Sequence, residues 1–353
     1  MPELSCVAHV HSTYSDGTAS LAELLETARA TGVDVLLLTD HDTLAARREG
    51  WEGDHDGVFL LVGDEVSPKG GHYLAFGVEE PIAHRGLSAV EIAAAVRAAG
   101  GVGFAAHPFS TGGHMFVPSI ARRIVRPHGW EGLEQEGGLD GIELWSVLTD
   151  AAEAWRTPVE AVRWLRHQEK AVAAGPSARH LAIWDSLSAH RRVPAIGGLD
   201  DHQRGIRFRG RVRSPVPHRR SFNLLRTHLV CDRPLTGETA TDRATIVRAL
   251  GAGAAWLHCP IVAPADGCRL WVEGDGSSVE MGGEGAARPS VLRLRLPCPA
   301  EVRVLRDGKP LHAERTDRLD LDCAQPGAYR IEARIDGRFW LLSNPVHLRR
   351  AAP

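Results

Sequence analysis

The chain has 353 residues, 43% of them hydrophobic and 24% charged, with a net charge of -3. That balance suits a globular α/β protein of one large and one small domain, and it excludes a disordered chain or a broadly basic nucleic-acid-binding surface. The six cysteines form no C-x-x-C pair, which excludes a zinc ribbon or a thioredoxin-type motif, and the eighteen histidines are the one anomaly of composition.

The first apolar run closes on His9-Val10-His11. Alternate residues of a strand share a face, so both imidazoles can grip one ion, and Asp16 can return a carboxylate after a short polar turn. Taken alone, H-x-H is weak, and two nearby strand histidines are more often ordinary residues. Ser20 and Glu23 form a capping box ahead of apolar positions 21, 24, 25 and 28, with the helix ending at Gly32. Residues 33–38 read as a strand buried on both faces that delivers Asp40, His41 and Asp42. Residues 58–62 lead to Glu65, and residues 72–76 are a short strand opening with His72. A second capping box, Ser88 and Glu91, starts a helix that stops at Gly100-Gly101. The strands at 102–106, 140–145 and 193–197 lead in turn to His107, Trp145 and the stretch Leu199-Asp200-Asp201-His202. A strand at 224–230 and a helix including 246–250, closed by Gly251, complete the pattern.

Strands alternating with helices predict parallel βαβ units, whose functional residues gather at the C-terminal strand ends. His11, His41, Glu65, His107, Asp200 and His202 all stand at or just past such an end, which argues for a metal site. Residues 108–192 read as a helical insertion, with helices at 150–174 and 178–190, and they form a candidate lid. Trp155, Val159, Val162 and Leu165 are placed to share one packed face. Residues 203–220 carry Arg204, Arg207, Arg209, Arg211, Arg213, Arg219 and Arg220. This is either a solvated loop or an attractor for an anionic substrate. From residue 259 the helical pattern gives way to short strands. Asp307-Gly308 and Asp336-Gly337 carry hairpin signals, and the spacing predicts a small β-sandwich. With no leader and no apolar run near 18 residues, the expectation is a cytoplasmic protein with reduced thiols and no membrane contact.

The stretches H-V-H-S-T-Y-S-D-G-T, T-D-H-D-T, G-D-E-V-S, G-G-H-Y-L-A-F-G, A-H-P-F and G-L-D-D-H resemble the motifs of the PHP (polymerase and histidinol phosphatase) superfamily. The forms G-H-Y-L-A-F-G, D-G-I-E-L-W and S-N-P-V look most like its CehA/McbA (carbaryl-hydrolase-like) branch. The resemblance covers residues 1–258 and implies a distorted (β/α)7 barrel, followed by an all-β, Ig-like domain at 259–353. It also implies two or three divalent ions. One would take His9, His11, Glu65 and Asp200. A second would take Glu65, His72 and His107, and a third Asp16, His41 and His202. Asp40 and Asp42 are candidates for orienting histidine rings. Such ligands suit zinc, manganese or iron equally. Three positions depart from the family pattern. Leu199 and Asp201 stand where it more often has Ser and Ala, and Ser146 stands where an Asn often follows the Trp.

The reading that follows is a metal-dependent hydrolase, most directly of phosphoesters. Glu65, Asp200 and His202 are its candidate catalytic residues, and Arg204 and His114 its candidate contacts to a small anionic substrate. Carboxyl or carbamate ester hydrolysis at the same site is the alternative, and a metal-stabilised binding module is the reading from a different class. Without a basic surface or aromatic platform, nucleic acid is not the expected partner. Nothing in the chain predicts an oligomeric state.

Overall fold

The computed structural model of the chain describes residues 1–114, 126–208 and 211–350. Arg209 and residues 115–125 of the insertion therefore lie outside the described residues. Seven strands make the frame of the N-terminal part. They are β1 (Glu3–Val10), β2 (Val35–His41), β4 (Val58–Val66), β5 (His72–Phe76), β6 (Val102–Ala106), β7 (Gly141–Ser146) and β8 (Ala195–Gly198). A three-residue strand β3 (Gly53–His55) pairs with β4. Neighbours run β1, β2, β4, β5, β6, β7, β8. The chain beyond β8 then returns to β1, with Leu199 N donating to Ala8 O at 3.0 Å and His11 N to Asp201 O at 3.0 Å. The ring of neighbours is thereby closed.

Within this ring the all-parallel expectation fails at one strand, and the strand expected at 224–230 is likewise antiparallel, to β1. β5 is antiparallel to both β4 and β6. Only five residues separate β4 from β5, and a parallel crossover needs about a dozen or more. The capping boxes hold. α1 (Leu21–Ala30) is capped by Ser20 and Glu23, and α3 (Ala89–Ala98) by Ser88 and Glu91, while a short α2 (Ala45–Arg48) lies between them. Leu21, Leu24, Leu25 and Ala28 are the buried face of α1, as the spacing required.

The insertion departs from expectation. Residues 150–174 are not one helix but α4 (Val147–Ala154), α5 (Pro158–Arg166) and α6 (Gln168–Val172). Trp155 is extended, and Thr157 caps a helix that opens on Pro158, where a proline cannot continue the one before. Val159 and Val162 are exposed rather than packed. α7 (Ala178–His190) follows, then the hairpin β9 (Ile206–Phe208) and β10 (Arg211–Arg213), and α8 (His218–Ser221). After β11 (Arg226–Val230), α9 (Thr239–Ala252) runs past Gly251 and ends at Gly253, whose left-handed φ of 66° makes it the cap.

β12 (Ala255–His258) joins β11 on one side and the C-terminal strand β19 (Arg338–Ser343) on the other. The C-terminal part is β-rich. Its longest strand, β16 (Ser290–Arg306), pairs through residues 291–295 with β13 (Arg269–Gly274) and through residues 301–306 with β18 (Gly327–Ile335). Both stretches pack on one core that includes Leu270, Leu292, Val304, Ile331 and Trp340. Both Asp-Gly hairpins form, with Asp307 and Asp336 at φ 50° ahead of glycines at 73° and 72°. Among the described residues no helix is long and apolar enough to cross a membrane.

Candidate metal centre

His9 and His11 leave β1 at its C-terminal end, where the pairing to β2 shifts register between Ala8 and Val10. His9 (φ 60°), His107 (φ 28°) and Asp200 (φ 55°) all have left-handed backbones. Each such residue costs about 1–3 kcal/mol and persists only where its surroundings impose it, and this strain collects where three strands end together.

The side chains converge on Glu65, which is fully buried. Its Oε2 stands 3.2 Å from His9 Nε2, 3.2 Å from His11 Nε2 and 3.1 Å from His41 Nδ1. Its Oε1 stands 2.8 Å from His72 Nδ1 and 3.3 Å from His107 Nε2. Asp200 Oδ1 lies 3.5 Å from both His9 Nε2 and His11 Nε2. Asp16 Oδ1 lies 2.9 Å from His202 Nε2 and 3.6 Å from His41 Nε2. All nine expected side chains thus meet in one cluster. Ligand atoms lie within 4.8 Å of one another in the sets His9/His11/Glu65, His9/His107/Asp200, His41/Glu65/His72 and His11/Asp16/His41/His202.

These residues fit a metal ion on their own chemistry. His9 Nε2, His11 Nε2 and Glu65 Oε2 are buried and, although Glu65 Oε2 stands 3.2 Å from each ring nitrogen, make no well-formed hydrogen bond among the described residues, a costly state for buried polar atoms. Two ligands about 2.1 Å from a shared ion stand roughly 3.0–3.4 Å apart, which is the spacing seen here. The electrostatics agree. Burial pushes the Glu65 carboxyl up, but His9, His72, His107 and His11 outweigh it and hold it well below the usual range. Burial pulls the His11 ring down, but Asp200 and Glu65 outweigh that and raise it to about 9. The carboxylates demand positive charge, and a divalent cation would supply it to neutral imidazoles.

A buried carboxylate behind the cluster was not foreseen. Glu143 on β7 is 1% exposed. Its Oε1 meets His9 Nδ1 at 2.9 Å and its Oε2 accepts the His107 backbone N–H at 2.7 Å. Gly198 makes room for it, since a Cβ there would stand 1.9 Å from Oε1. Thr149 donates to Asp200 Oδ2, and Ser67 Oγ meets His41 Nδ1 at 2.7 Å. Asp201 accepts from Ser221 Oγ and meets His218 Nδ1 at 2.9 Å, tying α8 to the ligand loop.

Asp40 and Asp42 do not orient the rings expected of them. Asp40 accepts from Ser12 N, Ser12 Oγ and Ser15 Oγ, and so shapes the turn after β1. Asp42 accepts from Ser67 N and pairs with His84 at 3.1 Å. Glu143 and Ser67 hold ligand rings instead. Arg204 is 76% exposed at its side chain and sits on Asp16 Oδ2 at 3.1 Å. His114 Nε2 lies 3.2 Å from Thr111 Oγ1.

Residues 8–104 match the PHP domain family model. Over 216 residues the chain is 34% identical to an error-prone DNA polymerase from Pseudomonas fluorescens, which covers 58% of this chain and 18% of the polymerase. Over 79 residues it is 42% identical to a phosphoribosyl 1,2-cyclic phosphate 1,2-diphosphodiesterase from Eggerthella lenta, covering 20% of this chain and 30% of that one. The chain thus spans less than a third of the length of either relative. A solved two-domain protein from Bacteroides vulgatus, containing a predicted PHP-like metal-dependent phosphoesterase, aligns at 14% identity. That alignment covers 98% of this chain and 95% of the other, with a TM-score of 0.42.

Proposed function

We propose that the chain is a metal-dependent phosphoesterase acting on a small anionic substrate. The observation that carries this reading is the trio of buried atoms His9 Nε2, His11 Nε2 and Glu65 Oε2, which crowd together without a well-formed hydrogen bond among the described residues, at the junction of four His/Asp/Glu sets. A first ion would be held by His9, His11, Glu65 and Asp200. A second would be held by Glu65, His72 and His107, and a third by Asp16, His41 and His202. Zinc, manganese and iron all suit such donors. When bound, such ions would supply Lewis acidity and lower the pKa of a bound water.

The chain's own groups divide the remaining work. Glu65, shared between sets, fixes their spacing from a fully enclosed position. Asp200 and His202 keep 17% and 10% of their side-chain surface accessible, whereas Glu65 keeps none. They therefore stand on the substrate side, with Thr149 fixing the angle of Asp200. Arg204 borders the same mouth through Asp16. The name of the Eggerthella lenta relative, a phosphodiesterase, supports a phosphoester over a neutral ester.

The catalytic part is proposed to span residues 1–258 as a distorted (β/α)7 barrel with the helical insertion at 108–192. Residues 259–353 are proposed as an Ig-like sandwich. Placement in the CehA/McbA branch rests on the motifs quoted above and on Asn344 of S-N-P-V. Its side chain bonds Ala195 N at 2.7 Å and Ala195 O and Ala255 O at 2.9 Å each.

The test is turnover of bis-p-nitrophenyl phosphate and of p-nitrophenyl acetate by protein stripped with a chelator and reloaded with zinc, manganese or iron(II). Phosphoester turnover that vanishes on stripping and returns on loading is the expected result. No turnover in any loaded form would leave a binding module, and a preference for the acetate would put a carboxyl ester in place of the phosphoester.

A further inference from the structure

One more imidazole reaches the centre without belonging to the nine. The His128 ring centroid lies 4.3 Å from that of His72 and 5.9 Å from that of His107. Its backbone N–H donates to Ser110 Oγ at 3.1 Å, and Ser110 Oγ donates in turn to Glu153. The residues after it are equally fixed. Trp130 N donates to Pro108 O at 3.0 Å, and the Trp130 indole stacks on Tyr73 with centroids 4.9 Å apart. Gly71, at φ +133°, leaves no room for a Cβ, which would stand 2.8 Å from Gly129 O. Residues 128–130 are thus wedged between the start of β5 and the loop after β6. Those two places carry His72 and His107.

The ring is close to the ligands without being one of them. His128 joins none of the sets whose ligand atoms lie within 4.8 Å of one another. Its Nδ1 is nevertheless enclosed and has no hydrogen-bond partner among the described residues. An enclosed nitrogen without a partner is unfavourable until something brings an acceptor to it. The ligand side chains beside it are engaged with Glu65, so among the described residues no acceptor stands at this nitrogen.

We propose that His128 contacts the substrate, its ring N–H donating a hydrogen bond to an oxygen of the phosphoryl group on the His72–His107 side of the cleft. This rests on the phosphoesterase reading and adds a residue to it. The contact is held in advance, because the loop that carries His128 is bonded to both ligand-bearing segments. A hydrogen bond to a charged oxygen, removed by truncation, corresponds to a loss of roughly tenfold to a hundredfold.

The experiment uses metal-loaded full-length protein and the variants His128→Ala and His128→Gln. Three quantities are read: kcat/KM on bis-p-nitrophenyl phosphate, the Kd of inorganic phosphate by calorimetry, and metal content. His128→Ala is expected to lose about tenfold to a hundredfold in both kcat/KM and phosphate affinity, with metal content and Tm unchanged. His128→Gln, which keeps a donor, should recover part of the phosphate affinity. Metal content falling in step with activity would make His128 a ligand and overturn the proposal. Unchanged phosphate affinity in His128→Ala would overturn it too, as would wild-type protein that binds no phosphate. Absence of phosphoester turnover by wild-type protein would instead sink the phosphoesterase reading, while the phosphate Kd still decides the role of His128.

Discussion

Glu143→Gln is the sharpest single test of how the centre is built. The carboxylate is acceptor-only and receives two donors, His9 Nδ1–H at 2.9 Å and the His107 backbone N–H at 2.7 Å. An amide of the same shape offers one oxygen and one NH2 group. Whichever way it turns, one of the two donors then faces another donor in a site that is 1% exposed. A buried unsatisfied donor costs about 1–3 kcal/mol. That is a factor of roughly 5 to 150, which spans the 10–100-fold range usual for partners that orient metal-bound histidines. If the amide faces His9, the ring is also pushed toward the tautomer that protonates Nε2, the nitrogen aimed at Glu65. The expected outcome is a metal Kd raised by about one to two orders of magnitude, with turnover largely restored at saturating metal. Titration of stripped protein with zinc in a competing chelator measures the first, and rates at high metal measure the second. Wild-type affinity in Glu143→Gln would show that the carboxylate is a bystander, and the account of His9 and His107 as jointly clamped would have to be dropped.

Other predictions rest on separate contacts. Asn344→Ala removes three buried hydrogen bonds that join the starts of β8 and β12. It should lower the urea-measured unfolding free energy by about 2–4 kcal/mol, and an unchanged midpoint would refute the coupling of the two parts. Arg204→Ala should reduce phosphoester and neutral-ester turnover alike, by no more than about fivefold, because an exposed ion pair is worth about 0–1 kcal/mol and this guanidinium lies on Asp16. A loss confined to the phosphoester would put Arg204 on the substrate instead. His258 is held down to about 3, chiefly by burial, with the bond to Ala263 O opposing and His228 and Arg226 adding to it. A depressed folded pKa means stability fully present above about 6.5 and lost as the pH falls toward 3, on the order of a few kcal/mol. His258→Gln should flatten the pH dependence of urea unfolding across that window, and identical slopes for variant and wild type would exclude His258 as the cause.

Seven of the nine ligand-type residues were legible because each closes or follows an apolar run, and a strand end is a place that sequence periodicity can locate, whereas Asp16 lies past a polar turn and His72 opens its strand, so that its ligand role came from the motif resemblance. The antiparallel strand β5 was legible in principle from the five residues before it, a gap too short for a crossover. α5 could not be read as exposed. Val159 and Val162 have the spacing of a buried face, and only the fold shows that none of the described residues covers them.

The orienting residues were harder to find for a different reason. Asp40 and Asp42 flank His41 in sequence, yet side chains adjacent on a strand point to opposite faces. A partner for a ligand ring therefore comes from a neighbouring strand, at a distance in sequence that no local pattern encodes. Glu143 lies 134 residues from His9, and Thr149 lies 51 from Asp200. Glu143 did carry a signal of its own. It is a carboxylate inside Gly141–Ser146, a strand buried at all six positions, and a buried carboxylate has to be paired, hydrogen-bonded or bound to a metal. His128 carried none. It follows Pro127 and precedes Gly129 in a loop, where the bland reading is a surface histidine. Only the packing of Gly71 and Trp130 around that loop brings its ring to the centre. The groups that surround the candidate ligands are thus set by cross-strand and loop packing, and variants at Glu143 and Thr149, which touch His9 and Asp200, probe that packing directly where variants at the candidate ligands themselves cannot.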